Sequence, residues 1–383
     1  MRAPTPRAST GESCWSSALC PSSAPTRRCA RASGAAATES DRARHYAVPA
    51  VDASPLPLGK VPVELLARLL GELQPLPPEV LLGPRVGEDA AAIEVPAGTL
   101  VVATDPITLT TKDVGGFSVV VNANDVAVTG ARPRWFLAAV MLPPGTHEAD
   151  VAALFDGMRE ALASAGVALV GGHTEITSAV TQPVVVGQML GLAEGGRFVA
   201  TGGLRAGDVV VQVGPAPIEG AAVLSREAGD RLSGVEALVV EAAAGAVRHP
   251  GISVVGPALL SRELGATSLH DPTEGGLGAG LREMADAAGV RIRIDPGAVL
   301  WFEPGVAVCR ALGADPWATL ASGTLLAGFP PGLADEAVRT LLGRGHEAAV
   351  LGVAEPGRGV VDADGRPLAW PERDEVARVL AEG

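Results

Sequence analysis

Five short clusters in this sequence set acids beside glycines. In chain order they are Gly87-Glu88-Asp89-Ala90-Ala91, Thr104-Asp105-Pro106, Asn124-Asp125 within VNANDVAVTGARP, Gly171-Gly172-His173-Thr174-Glu175, and His270-Asp271-Pro272-Thr273-Glu274-Gly275-Gly276-Leu277. Singly, each has an ordinary explanation: Gly-Gly makes a turn, Asp before Pro caps an element, and Asn on a helix is solvated. Together they supply what phosphoryl chemistry needs. Carboxylates hold Mg²⁺, an ion that prefers oxygen ligands and takes few of them from protein. Backbone N–H groups in glycine loops or at helix N-termini hold phosphate oxygens. Gly275-Gly276 opens a helix and meets the second need, and Gly171-Gly172 after a strand offers a further such loop. Neither a G-x-x-x-x-G-K loop nor a G-x-G-x-x-G turn occurs, which disfavours the common nucleotide folds and leaves the phosphate work to acids acting through metal.

The elements that must position these clusters alternate along the chain. Helical spacing covers 63–73, 114–129, 148–165, 218–232, 254–264, 275–288 and 334–342; strands are expected at 99–103, 135–142, 167–170, 184–192, 208–213, 291–294, 324–329 and 348–353. This alternation predicts an α/β (α+β) layer structure. The glycine-rich stretch 195–207 reads as a junction, giving domains at 55–200 and 201–383 of similar pattern.

The chain of 383 residues is long enough for two ordinary domains, and 47% of its residues are hydrophobic. Its net charge of −13 is uneven, because residues 1–54 carry seven Arg against four acids. An acidic body repels nucleic acid, whose affinity rests on Lys and Arg. No apolar run reaches the roughly 18 residues of a membrane span. Three of the four cysteines lie in the first 30 residues, only Cys309 lies further on, and no C-x-x-C occurs, so a zinc site or disulfide framework is not expected and the globular part reads as cytoplasmic. Residues 1–54, rich in Ser, Ala, Arg and Pro, read as a disordered extension or a start assigned too far upstream; a transit peptide has similar composition.

The order GEDAA, TDP, NAND with VTGARP, GGHTE, DPTEGGL and SGTLLAG resembles the superfamily of aminoimidazole ribonucleotide synthetase (AIR-synthase-related, PurM-like) over roughly 300 residues. That superfamily includes thiamine-monophosphate kinase, selenophosphate synthetase, formylglycinamidine ribonucleotide synthetase and the hydrogenase-maturation protein HypE, and the DPT-x-GGL and SGTLL elements resemble the HypE group most. The resemblance implies a two-domain subunit with mixed sheets and helices packed on them. It places ATP in the N-terminal domain near a homodimer interface, beside a three-layer α-β-α C-terminal domain. It further implies that Asp89, Asp105 and Asp125 ligate Mg²⁺, with Glu88 a further carboxylate, Asn124 nearby and Asp271 contributing from the second domain. Gly87, Thr104, Gly171, Gly172, Thr174, Gly275 and Gly276 belong to the implied cofactor contacts. Lys60 either reaches a phosphate or is a solvated surface lysine.

The sequence departs from named members in three places. HypE carries a C-terminal cysteine, whereas this sequence ends Val379-Leu380-Ala381-Glu382-Gly383, so cyanide formation is not expected. Selenophosphate synthetase needs a thiol or selenol near the early lysine, and residues 56–60 have none. His173 stands where thiamine-monophosphate kinase has aspartate. Either Glu175 takes over as metal ligand or one metal is missing, and His173 is then a general base or a structural hydrogen-bonding group.

The expectation is an ATP- and Mg²⁺-dependent enzyme that phosphorylates, or activates, an oxygen of a small-molecule acceptor. Residues 215–219 are expected to line the acceptor pocket. The alternative is a nucleotide-binding maturation or regulatory protein without turnover of its own; the plainest is a generic α/β enzyme with accidental acid clusters.

Overall fold

A computed structural model describes residues 55–56, 59–60, 62–73, 75–82, 92–95, 98–108, 113–371 and 373–382. Residues 1–54, and Gly87, Glu88 and Asp89 among the expected site residues, lie outside them.

The first sheet takes strands β1 (Gly59–Lys60), β4 (Thr99–Ile107), β5 (Arg132–Leu142), β6 (Ala168–Ile176) and β7 (Val184–Ala193) in the order β1-β6-β5-β7-β4; the small pair β2 (Val80–Leu82) and β3 (Ala92–Ile93) stands apart. β5 and β6 run parallel, and the other neighbours antiparallel. Helices α1 (Val63–Gly71), α2 (Val114–Ala127) and α3 (Glu148–Ala165) supply Leu65, Phe117, Val119, Val151, Phe155 and Met158 to a core shared with Phe136, Val140, Val185 and Met189 of the strands. α2 is apolar on nearly every side, and accordingly it is buried nearly all round.

The second sheet has the order β13-β10-β12-β8-β11-β9, built from β8 (Val209–Val213), β9 (Ser268–His270), β10 (Arg291–Ile294), β11 (Leu325–Phe329), β12 (Ala348–Glu355) and β13 (Gly359–Val361). Only β10 and β13 pair in parallel. α7 (Gly276–Ala288) packs Leu277, Leu281 and Met284 against Val210 and Ile292 on one face. On the other, α6 (Val255–Glu263) and α9 (Pro331–Gly343) pack Ala258, Ala337 and Leu341 against Val211 and Val213. This is a three-layer α-β-α arrangement. Helices α4 (Glu219–Glu227), α5 (Ala237–Gly245), α8 (Glu303–Ala311) and α10 (Glu375–Ala381) close a separate cluster around Leu224, Val308 and Val379. The α/β two-sheet architecture and both mixed sheets are as expected.

Two elements differ from the sequence reading in ways that move site residues. β4 continues past residue 103 to Ile107, so Asp105 lies within a strand. Pro106 does not end it: the ladder to β7 runs on through the Pro106–Val186 and Ile107–Val185 pairs. β6 continues past Val170 to Ile176, so Gly171, Gly172, His173, Thr174 and Glu175 form strand and not a phosphate loop. The ladder to β5 skips one residue there, a bulge that brings Ala138 against Gly172, where a Cβ would collide with its carbonyl. The glycines serve that close approach. The helix expected over 218–232 stops at Glu227, before Gly229 with φ 52°.

Candidate active site

Asp105 is held on β4 by a residue the sequence reading passed over. Asn122 on α2 is 0% exposed, and its Oδ1 accepts the Asp105 N–H at 2.8 Å. Its Nδ2 donates to the Asp105 carbonyl at 3.2 Å and to the Ser118 carbonyl at 2.8 Å. The amide thus does for the edge strand what another strand would do. It needs Gly187 beside it, because a Cβ on Gly187 would strike the Asn122 amide and come within 2.8 Å of the Phe136 ring. Asp125 lies three residues further along α2, on the same helix face as Asn122.

Asp105, Asp125 and Asp271 are brought together from β4, α2 and the loop after β9. Burial, then the Asp105 carboxylate, pushes Asp125 up to about 7. Partial desolvation of its carboxyl raises Asp105 as well, although the residue as a whole is exposed. Asp271 is held well above the usual carboxylate range by burial and then by Asp125, with Asp105 and Glu283 adding to it. It is 8% exposed, and its Oδ2 is buried without a hydrogen-bond partner. A buried carboxylate oxygen without a partner, in the field of two other acids, costs free energy unless the group is protonated or a cation is bound. The donors are all oxygen, which fits Mg²⁺. Among the described residues no group of three His, Cys, Asp or Glu is close enough to enclose a metal by itself. An ion here therefore needs oxygens from elsewhere, as Mg²⁺ commonly takes them from phosphate and water.

Other expected site residues lie elsewhere. Asn124 is a clamp between the two halves: its Nδ2 donates to the Ile252 carbonyl at 2.8 Å and its Oδ1 accepts the Val254 N–H at 2.9 Å. Both polar atoms are used, and Asn124 points away from the Asn122–Asp125 face. His173 and Glu175 approach each other at 3.4 Å on the sheet face opposite the helices. Ladder rows place Gly172 level with Asp105 across β5 and β7, so three strand spacings, about 14 Å, and the sheet itself separate His173 from the acid group. The structure does not bring these two sets together within one chain. Thr174 is buried on the helix side, and the Thr104 hydroxyl donates to the Gly187 carbonyl at 2.7 Å. Lys60 pairs with Glu175 in the ladder, and its side chain lies outside the described residues. Gly275 and Gly276 do open α7, yet the Gly275 N–H is already given to Asp374 Oδ2 at 2.7 Å and that of Gly276 to the Thr273 carbonyl at 3.0 Å. Those two N–H groups are not free for phosphate, which corrects the sequence expectation. The carboxylate that takes the first comes from the segment before α10, distant in sequence.

Between the two halves runs a cleft of about 380 Å³. Asp105, Pro106, Ile107 and Val121 form one wall, and Glu219, Thr273, Glu274 and Ser322 the facing one. Burial pushes Glu219 up to about 6, opposed by a hydrogen bond from Ser322 and assisted by Asp374 and Glu274.

Comparison with known proteins accords with this arrangement. The family described as AIR synthase related protein, N-terminal domain, matches residues 87–193, and its C-terminal domain matches residues 205–364. The chain belongs to the AIR synthase related family. The carbamoyl dehydratase HypE of Azotobacter vinelandii is 31% identical over 69% of this chain and 77% of its own. The thiamine-monophosphate kinase of Mycobacterium tuberculosis H37Rv is 32% identical over 64% of this chain and 73% of its own. A crystal structure of the hydrogenase maturation protein HypE in complex with ATP superposes with a TM-score of 0.66 at 24% identity, covering 81% of this chain and 95% of that one. The fold is therefore the two-domain PurM-like one. Among the described residues no single helix is long and apolar enough to cross a membrane.

Proposed function

We propose that the protein is an ATP- and Mg²⁺-dependent enzyme that phosphorylates or activates an oxygen of a small molecule bound in the cleft. The observation that carries this is the Asp105–Asp125–Asp271 group, with the orphaned Asp271 Oδ2, beside a cleft lined from both halves. An ATP complex of a protein with this fold supports it. Asp105, Asp125 and Asp271 would hold Mg²⁺, with Glu88 and Asp89 completing the set. The bound ion supplies positive charge that neutralises phosphate oxygens, which is most of what phosphoryl transfer asks of an enzyme. Asn122 fixes where the Asp105 carboxylate starts, and the apolar cleft wall excludes water from the acceptor. On the outer sheet face, Leu100 and Val102 stand 42% and 60% exposed. An apolar exposed sheet face is a site for a second copy, so the active form is a homodimer. The location is cytoplasmic.

Calorimetry with ATP in the presence and absence of Mg²⁺, followed by ADP release against metabolite pools, tests the proposal. Mg²⁺-dependent binding and acceptor-dependent ADP release support it; no ATP binding refutes it. One observation favours a second reading, a nucleotide-binding maturation or regulatory protein without turnover: Asp374 already takes the Gly275 N–H that a phosphate would use. ATP binding without ADP release under any acceptor, together with co-purification of one partner protein, selects that reading.

A further inference from the structure

We infer that a second cavity, apart from the acid group and its cleft, binds a small zwitterion with an apolar side chain: an α-amino acid of about the size of leucine or phenylalanine. The cavity holds about 380 Å³ and opens between the two halves of the chain. On the N-terminal side its charged groups are Asp113, just before α2, and Glu160 on α3. On the C-terminal side they are Arg248 and His249, on the single π-helical turn Val247–Gly251. Phe117, Val120, Val247 and Ile252 form an apolar floor between them, and Phe117 and Ile252 are buried.

Asp113 is the unusual member of this set. It stands at the N-cap of α2, where an aspartate ordinarily accepts an N–H of the first turn, and it makes no such bond. Its backbone is left-handed, with φ 56°, the one positive φ outside glycine among the described residues. Its carboxylate lies instead in a notch between two glycines. A Cβ on Gly116 would come within 2.7 Å of Asp113 Oδ1, and one on Gly157 within 2.5 Å. Glu160 follows Gly157 by three residues and shares that face of α3. Acids therefore occupy one wall and bases the other. Among the described residues none of the four charged side chains is held in an ion pair.

This segregation selects the ligand. An amine alone meets Asp113 and Glu160 but brings nothing to Arg248 and His249; a carboxylate alone does the reverse and faces two acids. A bare metal ion lacks ligands, because among the described residues no three of His, Cys, Asp and Glu stand close enough to hold one. A compound with both charges at one end of an apolar body satisfies both walls. Its ammonium turns to Asp113 and Glu160, and its carboxylate to the Arg248 guanidinium, whose fork matches two carboxylate oxygens. Its side chain covers the apolar floor, and the volume lies near the lower end of the range of about 300–1,000 Å³ usual for organic ligands. The walls are preset. Asn124 on α2 holds the Ile252 carbonyl at 2.8 Å and the Val254 N–H at 2.9 Å, so little ordering remains for a ligand to impose.

The test is ligand-observed NMR on the full chain with two matched probe sets: L-phenylalanine, phenethylamine and hydrocinnamate, then L-leucine, isoamylamine and isocaproate. The amino acid of each set should bind on the order of tenfold more tightly than either analogue that carries one charge. Arg248→Gln should cut amino-acid affinity by about tenfold and leave the amines unchanged, and Glu160→Gln should cut it by about the same factor without weakening the acids. Both residues are exposed, so neither variant threatens the fold. Equal binding across a set, amino-acid binding unchanged in both variants, or no saturable binding of any probe at millimolar concentration overturns the inference. So does amine binding as tight as that of the amino acid, which makes the cavity a cation site. A non-hydrolysable ATP analogue with Mg²⁺ is added to the same samples. Retention of the amino acid supports a separate site, whereas its displacement would put it in the cleft and overturn the inference.

Discussion

Replacing Asn122 with alanine probes the link between the fold and the site. The substitution removes the two bonds that hold the Asp105 backbone and the one to Ser118, from a side chain that is fully buried. Each buried group left unpaired costs about 1–3 kcal/mol. Asp105 is exposed, so water recovers part of the loss at its N–H and carbonyl, whereas the Ser118 carbonyl is inside a helix and already bonded. The net expectation is a loss of about 2–4 kcal/mol in unfolding free energy, with the cavity contributing. The more telling effect is local: an edge strand without its clamp lets the Asp105 carboxylate move, and Mg·ATP affinity should fall by about tenfold or more, the effect of misplacing one charged ligand by about 1.4 kcal/mol. Denaturant unfolding gives the first number and calorimetry the second. Gly187→Ala should reproduce both without touching Asn122, because the new Cβ displaces the same amide. Full Mg·ATP affinity in a folded but destabilised Asn122→Ala protein would refute the reasoning, leaving Asn122 a core hydrogen-bonding residue only.

Three further outcomes follow from the same structure. Asn124→Ala should lose about 2–3 kcal/mol of stability by unpairing Ile252 and Val254 from α2, while Mg·ATP affinity changes far less than in Asn122→Ala; denaturant melts and calorimetry on both variants check the contrast. Glu219 is raised from 4.5 to about 6, so the folded state holds its proton more tightly than the unfolded chain. Its stabilising contribution is complete below pH 4.5 and is lost as the pH rises through about 6. Glu219→Gln should therefore match the parent at pH 4 and exceed it by about 2 kcal/mol at pH 8, a difference that urea unfolding at the two pH values measures. Cys309 is buried with its thiol pushed up to about 11, so peptide mapping after iodoacetamide treatment at pH 8 should find it unlabelled until denaturant is added.

How far the sequence discloses the site depends on which physical rule each residue obeys. The acid clusters were legible because charges beside glycine in an apolar chain have few other uses, and Asp105, Asp125 and Asp271 influence one another's charge in the fold. Helix geometry separates the two asparagines of this run: positions 122 and 125 share a face, and 124 does not. The apolar run around VVVNANDVA marked a buried helix, in which any Asn must find partners, and that was the available signal. Gly171-Gly172 reads as a turn in any local scheme, because a bulge forced by the carbonyl of Ala138 is a property of the neighbouring strand. The tie between Gly275 and Asp374 spans 99 residues and leaves no local trace. Glu219 fell within the stretch expected to line the acceptor pocket, but its charge acquires meaning only beside Glu274 and Asp374.

The central claim is that three carboxylates from separate elements form one Mg·ATP site, and the direct measurement is calorimetric titration of Mg·ATP into the parent, Asp105→Asn and Asp125→Asn proteins. The account predicts measurable Mg²⁺-dependent binding in the parent and a loss of at least about tenfold in each variant, with both still folded by circular dichroism. Unchanged affinity in both variants would contradict it, and would mean that the acids meet by the demands of the fold alone.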